Sequence, residues 1–362
     1  MPRIATNARM QILFVHSWLI LLYIAVRLWG LTDACLWFDE IFSIHAAEHG
    51  WGDILNFVAL DLIHPPLFYV LLKIWIAAGG EGLLWLRLFP VVWSVLAVFP
   101  FLRLSDELKI GRSTLLLALF LLAVNGSLIK YSQEVRMYAP LMCLSLFSMW
   151  LFARYFVKGK SFVPLVIVNV LMIYTHYFGW FVIVTEVALI LWLQRIKWRR
   201  MAVMFGIAVG AFLPWLIAVI SASRSGSALS QNIGWMSRPD IREIAIFVLN
   251  VVEPFYYRAS TAEPQSQLVI SIPILAVISA IAVVCVARWQ SLDDDGRTRL
   301  WFLLLLIKLP VIGAFAASWM LPYSVWGTRH LIIVMAPFWL AVVVMAGRLK
   351  PDLLRRTLIG AL

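Results

Sequence analysis

Five short stretches of the chain bring together side chains able to move a proton or hold an anion. Trp37-Phe38-Asp39-Glu40 sets two adjacent carboxylates behind two large aromatics. A carboxylate partly desolvated against a membrane surface is a usable base, and Asp39 is the first candidate for that role. The same stretch also fits a plainer reading, with Trp37 as an interfacial aromatic and Asp39 as a helix N-cap. His64-Pro65-Pro66-Leu67 reads as the start of a helix, because proline is pre-set for the first turn. His64 then lies beside the positive end of a helix dipole, a place that suits an anion or a metal-bound ligand. Tyr131-Ser132-Gln133-Glu134-Val135-Arg136-Met137-Tyr138 carries an acid and a base two residues apart. On a helix these point away from each other. They either pair along an extended segment or serve separately, one as an acid and one as a phosphate clamp. Tyr174-Thr175-His176-Tyr177-Phe178-Gly179 and Gly327-Thr328-Arg329-His330 complete the set. The planar fork of Arg329 matches a phosphate.

Membrane helices must position these stretches. The chain has 362 residues, 63% of them hydrophobic and only 14% charged, with a mean hydropathy of +0.90. Soluble domains carry about a quarter charged residues, and no soluble core could hide this much apolar side chain. In a bilayer only helices or a closed barrel satisfy the backbone, and the apolar runs are of helix length. Spans are expected at about 11–31, 83–103, 114–129, 139–157, 162–175, 179–193, 201–220, 267–287, 300–319 and 329–347, about ten in all. The run at 11–31 is too long for a signal peptide and reads as a retained first span.

Charge orients the bundle. Most of the 30 basic residues cluster near the N-terminus, at 103–112, 154–160, 195–200, 288–299 and 348–356. By the positive-inside rule these segments and both termini are cytoplasmic, which places all five chemical stretches on the opposite, extracytoplasmic face of the membrane. The net charge of +11 is thereby explained without nucleic acid as a partner. Most of the 19 acids fall in the outer loops. Segment 32–82 forms a first outer loop holding the candidate acids, with an interfacial helix near 65–79, and 221–266 a second with another near 241–252. The whole chain, 1–362, reads as one integral membrane domain. Cys35, Cys143 and Cys285 are too few and too far apart for a disulfide framework or a cysteine metal site. Glu186 is the clear acid inside a span, either hydrogen-bonded structurally or lining a cavity.

The ordered motifs, from Trp37-x-Asp39-Glu40 through His64-Pro65-Pro66-Leu67 and Tyr131-Ser132-Gln133-Glu134-x-Arg136-x-Tyr138 to Tyr174-Thr175-His176-Tyr177-Phe178-Gly179, resemble those of bacterial GT-C superfamily membrane glycosyltransferases. The likeness is nearest to those related to protein O-mannosyltransferases and the lipid A aminoarabinose transferase. It covers most of the chain and is strongest over 1–200. The resemblance implies a GT-C-like multispan helical bundle. It implies transfer of a sugar from a polyprenyl-phosphate donor to a lipid, glycan or protein hydroxyl outside the cytoplasm. Asp39 falls on the family's catalytic position, with Glu40 beside it, and Glu134 in the region of a second functional acid. His64 maps to donor-phosphate or metal binding, Arg136, Tyr138 and Arg329 to the donor phosphate, and Tyr131, Gln133, His176 and Tyr177 to the pocket. A divalent metal at His64 and Asp39 is one expectation; a nucleotide cofactor is not required, and no phosphate-cradling glycine loop is present. Arg329-His330 departs from the Arg-Tyr common in relatives, and the large C-terminal soluble domain that some relatives carry is not expected within 1–362. The implied chemistry is one inverting displacement with Asp39 as base. A transporter or flippase of a lipid-linked sugar is the alternative, disfavoured because midplane charges are few and no paired repeat is found.

Overall fold

A computed structural model describes residues 17–193, 197–224, 236–255, 268–291, 293–349 and 352–362. The expected span at 11–31 and the loop 221–266 lie partly outside these residues, as do Arg3, Arg9, Arg195 and Arg258. Among the described residues the chain is helical, with no strand and one isolated bridge, Asn125 to Pro254.

Helix α1 covers Ser17–Leu28. Four helices follow closely: α2 (Phe38–Glu48), α3 (Ile54–Asp61), α4 (Leu67–Gly79) and α5 (Leu83–Leu96). Then come α6 (Val98–Glu107), α7 (Arg112–Val124), α8 (Gly126–Gln133), α9 (Tyr138–Lys158), α10 (Phe162–Thr175) and α11 (Gly179–Leu193). The rest are α12 (Trp198–Arg224), α13 (Ile241–Val252), α14 (Leu268–Ala287), α15 (Asp294–Met320), α16 (Met335–Gly347) and α17 (Asp352–Ala361). Among the described residues six helical stretches are long and apolar enough to cross a membrane, α5 and α6 running together as one of 25 residues; α1, α4, α7, α10 and α11 are apolar but shorter.

Burial separates centre from rim. Of its most apolar window, α9 has 78% inside the protein, whereas α12 and α14 have 22%. Helix α9 is therefore the hub, packed by α5, α6, α10 and α11. The outer flanks of α12 and α14 expose Val203, Ile217, Val269 and Val283, as a lipid-facing surface should. Cys143 and Cys285 are buried in α9 and α14.

One expected span is corrected. A continuous helix over 114–129 does not form; α7 stops at Val124, and Asn125 is extended. Its side-chain oxygen accepts the Leu128 N–H at 2.9 Å and starts α8 afresh. Segment 251–255 supplies the backbone partners that the break frees: Gly126 N donates to Glu253 O at 2.8 Å and Phe255 N to Val124 O at 2.6 Å. The break is eased because these groups find partners, as do the Leu122 and Ala123 carbonyls, which accept from Arg27 at 3.2 Å. The expected turn between 175 and 179 is present, and α13 lies on the expected 241–252 segment, capped by the Asp240 side chain on Glu243 N.

Helix α9 has 21 residues, so its ends lie about 30 Å apart. Lys158 at its C-terminal end pairs with Glu107 at 2.7 Å, and Lys109–Asp295 and Arg348–Asp293 pairs lie among the loops near it. Its N-terminal end, at Tyr138, meets the other motifs.

Candidate functional site

The first motif enters a helix whose N-cap is Trp37, so Asp39 is not the cap but sits in the first turn. That turn sends neighbouring carboxylates in different directions. Glu40 points inward and is fully buried. Its Oε2 accepts the Trp37 N–H at 3.2 Å and a guanidinium N–H of Arg87 at 3.1 Å; its Oε1 accepts the Val135 N–H at 2.8 Å. Burial pushes its carboxyl up from the ordinary range, opposed by Arg87 and these N–H groups. Arg87 also reaches the carbonyls of Gln133, Ala34 and Cys35. Glu40 and Arg87 thus clasp the turn before α2 to the segment after α8.

Asp39 stays partly open, its side chain 29% exposed. Two guanidinium groups converge on its Oδ2: Arg136 at 3.9 Å and Arg329 at 3.6 Å. Arg136 is buried and well held. Its NH1 donates to Asp39 O and to Ser43 Oγ, both at 3.0 Å, and its NH2 lies 3.4 Å from His64 Nε2. Arg329 lies over the Trp37 ring, 5.9 Å from its centroid.

His64 lies two residues before Pro66, the N-cap of α4. Its Nδ1 faces Asp61 Oδ2 at 3.3 Å. Burial holds the imidazole well below its ordinary range, with Arg136 and Arg329 adding to the effect, so His64 is neutral. Burial likewise lowers His176, whose Nδ1 accepts the Phe178 N–H at 3.1 Å. Three imidazole rings follow one another: His64 to His176 at 5.7 Å and His176 to His330 at 5.3 Å. They border a cavity of about 200 Å³ lined also by Tyr177, Phe178 and Tyr323. Tyr138 stands 6.2 Å from His330 and 5.3 Å from the Tyr131 ring.

Asp39, His64, Arg136, Tyr138, His176, Tyr177 and Arg329 therefore gather at one end of the bundle. Glu134 and Arg136 take separate partners; Glu134 pairs with Lys130 at 3.7 Å. Gln133 turns away, its amide donating to the Arg27 and Trp29 carbonyls and tying down the end of α1. Asp61, Arg87, Ser43 and His330 belong to the network although sequence reasoning did not select them as site residues. The three-residue spacing from Asp61 to His64 was a readable signal, as was the charge of Arg87 within an apolar run.

The donor set does not suit the divalent metal expected at His64 and Asp39. No group of three or more His, Cys, Asp or Glu side chains among the described residues is placed to hold one. Asp39 and His64 both face guanidinium groups, which repel a cation.

No family model and no curated protein matches the chain. Solved structures do. ArnT from Cupriavidus metallidurans, in the apo state, superposes with a TM-score of 0.52 at 14% identity, over 85% of this chain and 60% of that one. The Archaeoglobus fulgidus oligosaccharyltransferase, solved with zinc and sulfate, superposes with a TM-score of 0.50 at 15% identity, over 82% of this chain and 42% of that one. The chain thus matches between 42% and 60% of the length of these two structures.

Proposed function

We propose, from the premise that this chain has the GT-C fold of membrane glycosyltransferases, that it transfers a sugar from a polyprenyl-phosphate donor to a hydroxyl acceptor. One observation carries the reading. Arginines from two distant segments, Arg136 and Arg329, point at the same oxygen of a partly exposed carboxylate, and Arg136 also touches His64, which lines a cavity rimmed by histidine and tyrosine. Such a fork is built for an anion. The Asp39 carboxylate holds the place that a donor phosphate would take, and an arriving phosphate would release it.

The displacement follows from that exchange. The phosphate oxygens of the donor accept from Arg136 and Arg329. Asp39, freed from both, takes the proton of the acceptor hydroxyl. The acceptor oxygen attacks the anomeric carbon from the face opposite the phosphate, and the bond from that carbon to the phosphate oxygen breaks. The electron pair leaves with the polyprenyl phosphate, whose added charge the two guanidinium groups meet. Configuration inverts. Glu40 braces the turn that carries Asp39, His64 and Tyr138 border the phosphate, and Glu134 with Lys130 supports the adjoining wall. No step requires a metal.

The reading extends to topology. The shorter apolar helices other than α4, which lies along the outer interface, join the six long ones to make about ten crossings. Both termini lie in the cytoplasm and the site faces the other side, where a lipid, glycan or protein hydroxyl would be offered. Segment 221–266, part of it outside the described residues, selects the acceptor within a single membrane domain.

Transfer of radiolabelled sugar from defined polyprenyl-phosphate donors, in liposomes holding the full chain, tests this. Label should reach an acceptor with the unaltered protein, equally with and without chelator, and fail to do so with Asp39→Asn. Label that changes leaflet without any new glycosidic bond would overturn the reading in favour of transport.

A further inference from the structure

We infer that Asp61 is a positioning residue of this site: it fixes the tautomer of His64 so that the His64 Nε2 lone pair holds the Arg136 fork. The inference rests on the phosphate-binding role proposed for Arg136, and Asp61 itself lies outside the five motifs.

The geometry begins in the backbone. Helix α3 ends at Asp61, and Leu62 follows with φ of 63°, in the left-handed region that leucine rarely enters. That turn brings the chain back so that His64 Nδ1 meets Asp61 Oδ2 at 3.3 Å, with both side chains nearly buried at 7% and 11% exposure. A carboxylate only accepts, so the imidazole proton must sit on Nδ1. Nε2 is then a lone pair, and it faces Arg136 NH2 at 3.4 Å. Two other acceptors, Asp39 O and Ser43 Oγ, hold NH1 of the same guanidinium. Three acceptors together set the plane of the fork that points at Asp39.

The other tautomer would present an N–H to the guanidinium N–H groups. Donor would face donor, and Arg136 would turn or His64 would leave. A doubly protonated His64 is opposed by both arginines. Asp61 therefore selects among three forms of one ring, and its choice reaches the phosphate site through His64 and Arg136 without contact with substrate. This is the kind of supporting partner that orients a histidine in metal and acid–base sites, used here to orient an arginine.

The full chain, labelled with ¹⁵N-histidine in lipid nanodiscs, tests the inference directly by NMR. The His64 signal is assigned by its loss in His64→Gln. A neutral ring protonated at Nδ1 is expected, and in Asp61→Leu, which leaves no acceptor at Nδ1 and frees the ring to turn from Arg136, that tautomer should lose population to Nε2–H. A His64 found as Nε2–H or as imidazolium in the unaltered protein overturns the inference, whatever the transfer assay shows. In that assay Asp61→Leu should raise the KM for the polyprenyl-phosphate donor about tenfold while kcat changes less, the size of one hydrogen bond to a charged group. An unchanged KM beside normal transfer overturns the inference alone. No transfer by the unaltered protein overturns the proposed function, and the NMR result still decides the tautomer.

Discussion

Two buried polar regions of this bundle meet the same problem in opposite ways. In the middle of the bundle, Ser148 of α9, Asn169 of α10 and Glu186 of α11 form a closed ring. Asn169 Nδ2 donates to Glu186 Oε2 at 2.8 Å, while Ser148 Oγ lies 2.6 Å from Glu186 Oε1 and 2.5 Å from Asn169 Oδ1. One hydroxyl proton cannot serve both oxygens. The second proton must come from Glu186, so the ring closes around a carboxylic acid, and no cation is enlisted among its partners. At the end of the bundle Asp39 is held by two cations and left partly open. A neutral, sealed acid ties three helices together; a charged, half-open one is held ready for exchange. The difference shows that burial alone does not identify a reactive carboxyl. The partners and the access do.

The same substitution at both acids gives the sharpest contrast. Asp39→Asn should insert and fold normally yet lower kcat about 10³-fold, the scale of a lost general base, measured as sugar transfer in liposomes. Arg329→Ala should come next, with kcat/KM for the donor reduced about 10²-fold, because one donor to the developing phosphate charge is gone. Arg87→Met tests the clasp beneath Asp39. It leaves the Glu40 charge buried without its counterion, and thermal unfolding in detergent should show a loss of about 3–5 kcal/mol.

A pH effect should be smaller. Burial raises Asp61 to about 6 against the pull of Arg136, and the groups facing it are His64, Arg136, Tyr69 and Tyr177. Above that pH the carboxylate is charged and holds the His64 N–H. As pH falls through about 6 it takes a proton, and the donor KM should rise a few-fold; Asp61→Asn should flatten that limb. Smallest of all, Glu186→Gln should leave transfer unchanged and shift stability by under about 1 kcal/mol, because the amide can donate to Ser148 and accept from Asn169 as the acid does. A large loss there would erase the distinction between the two regions.

Much of the helix plan was readable along the chain. Apolar runs marked most of the helices to within a few residues, since 20 apolar residues have few other places to go. The break at Asn125 was not readable, because the groups that answer it come from Val251–Phe255 more than a hundred residues later. The site was legible as a set of residue types at one end of the bundle. Which of them meet was not. Gln133 and His176 stand in motifs of equal strength, yet one binds backbone at α1 and the other faces the cavity.

By itself, then, the sequence determined a helical membrane protein and the end of the bundle where its chemistry-bearing residues collect. Hydropathy and charge are local properties, and the bilayer sorts them residue by residue. Only the tertiary structure decided that Asp39 opens toward two arginines while Glu40 closes on Arg87, and that Asp61 stands behind His64. Those outcomes depend on side chains from segments far apart meeting within a few ångströms, and the packing of α2, α5 and α9 sets that distance.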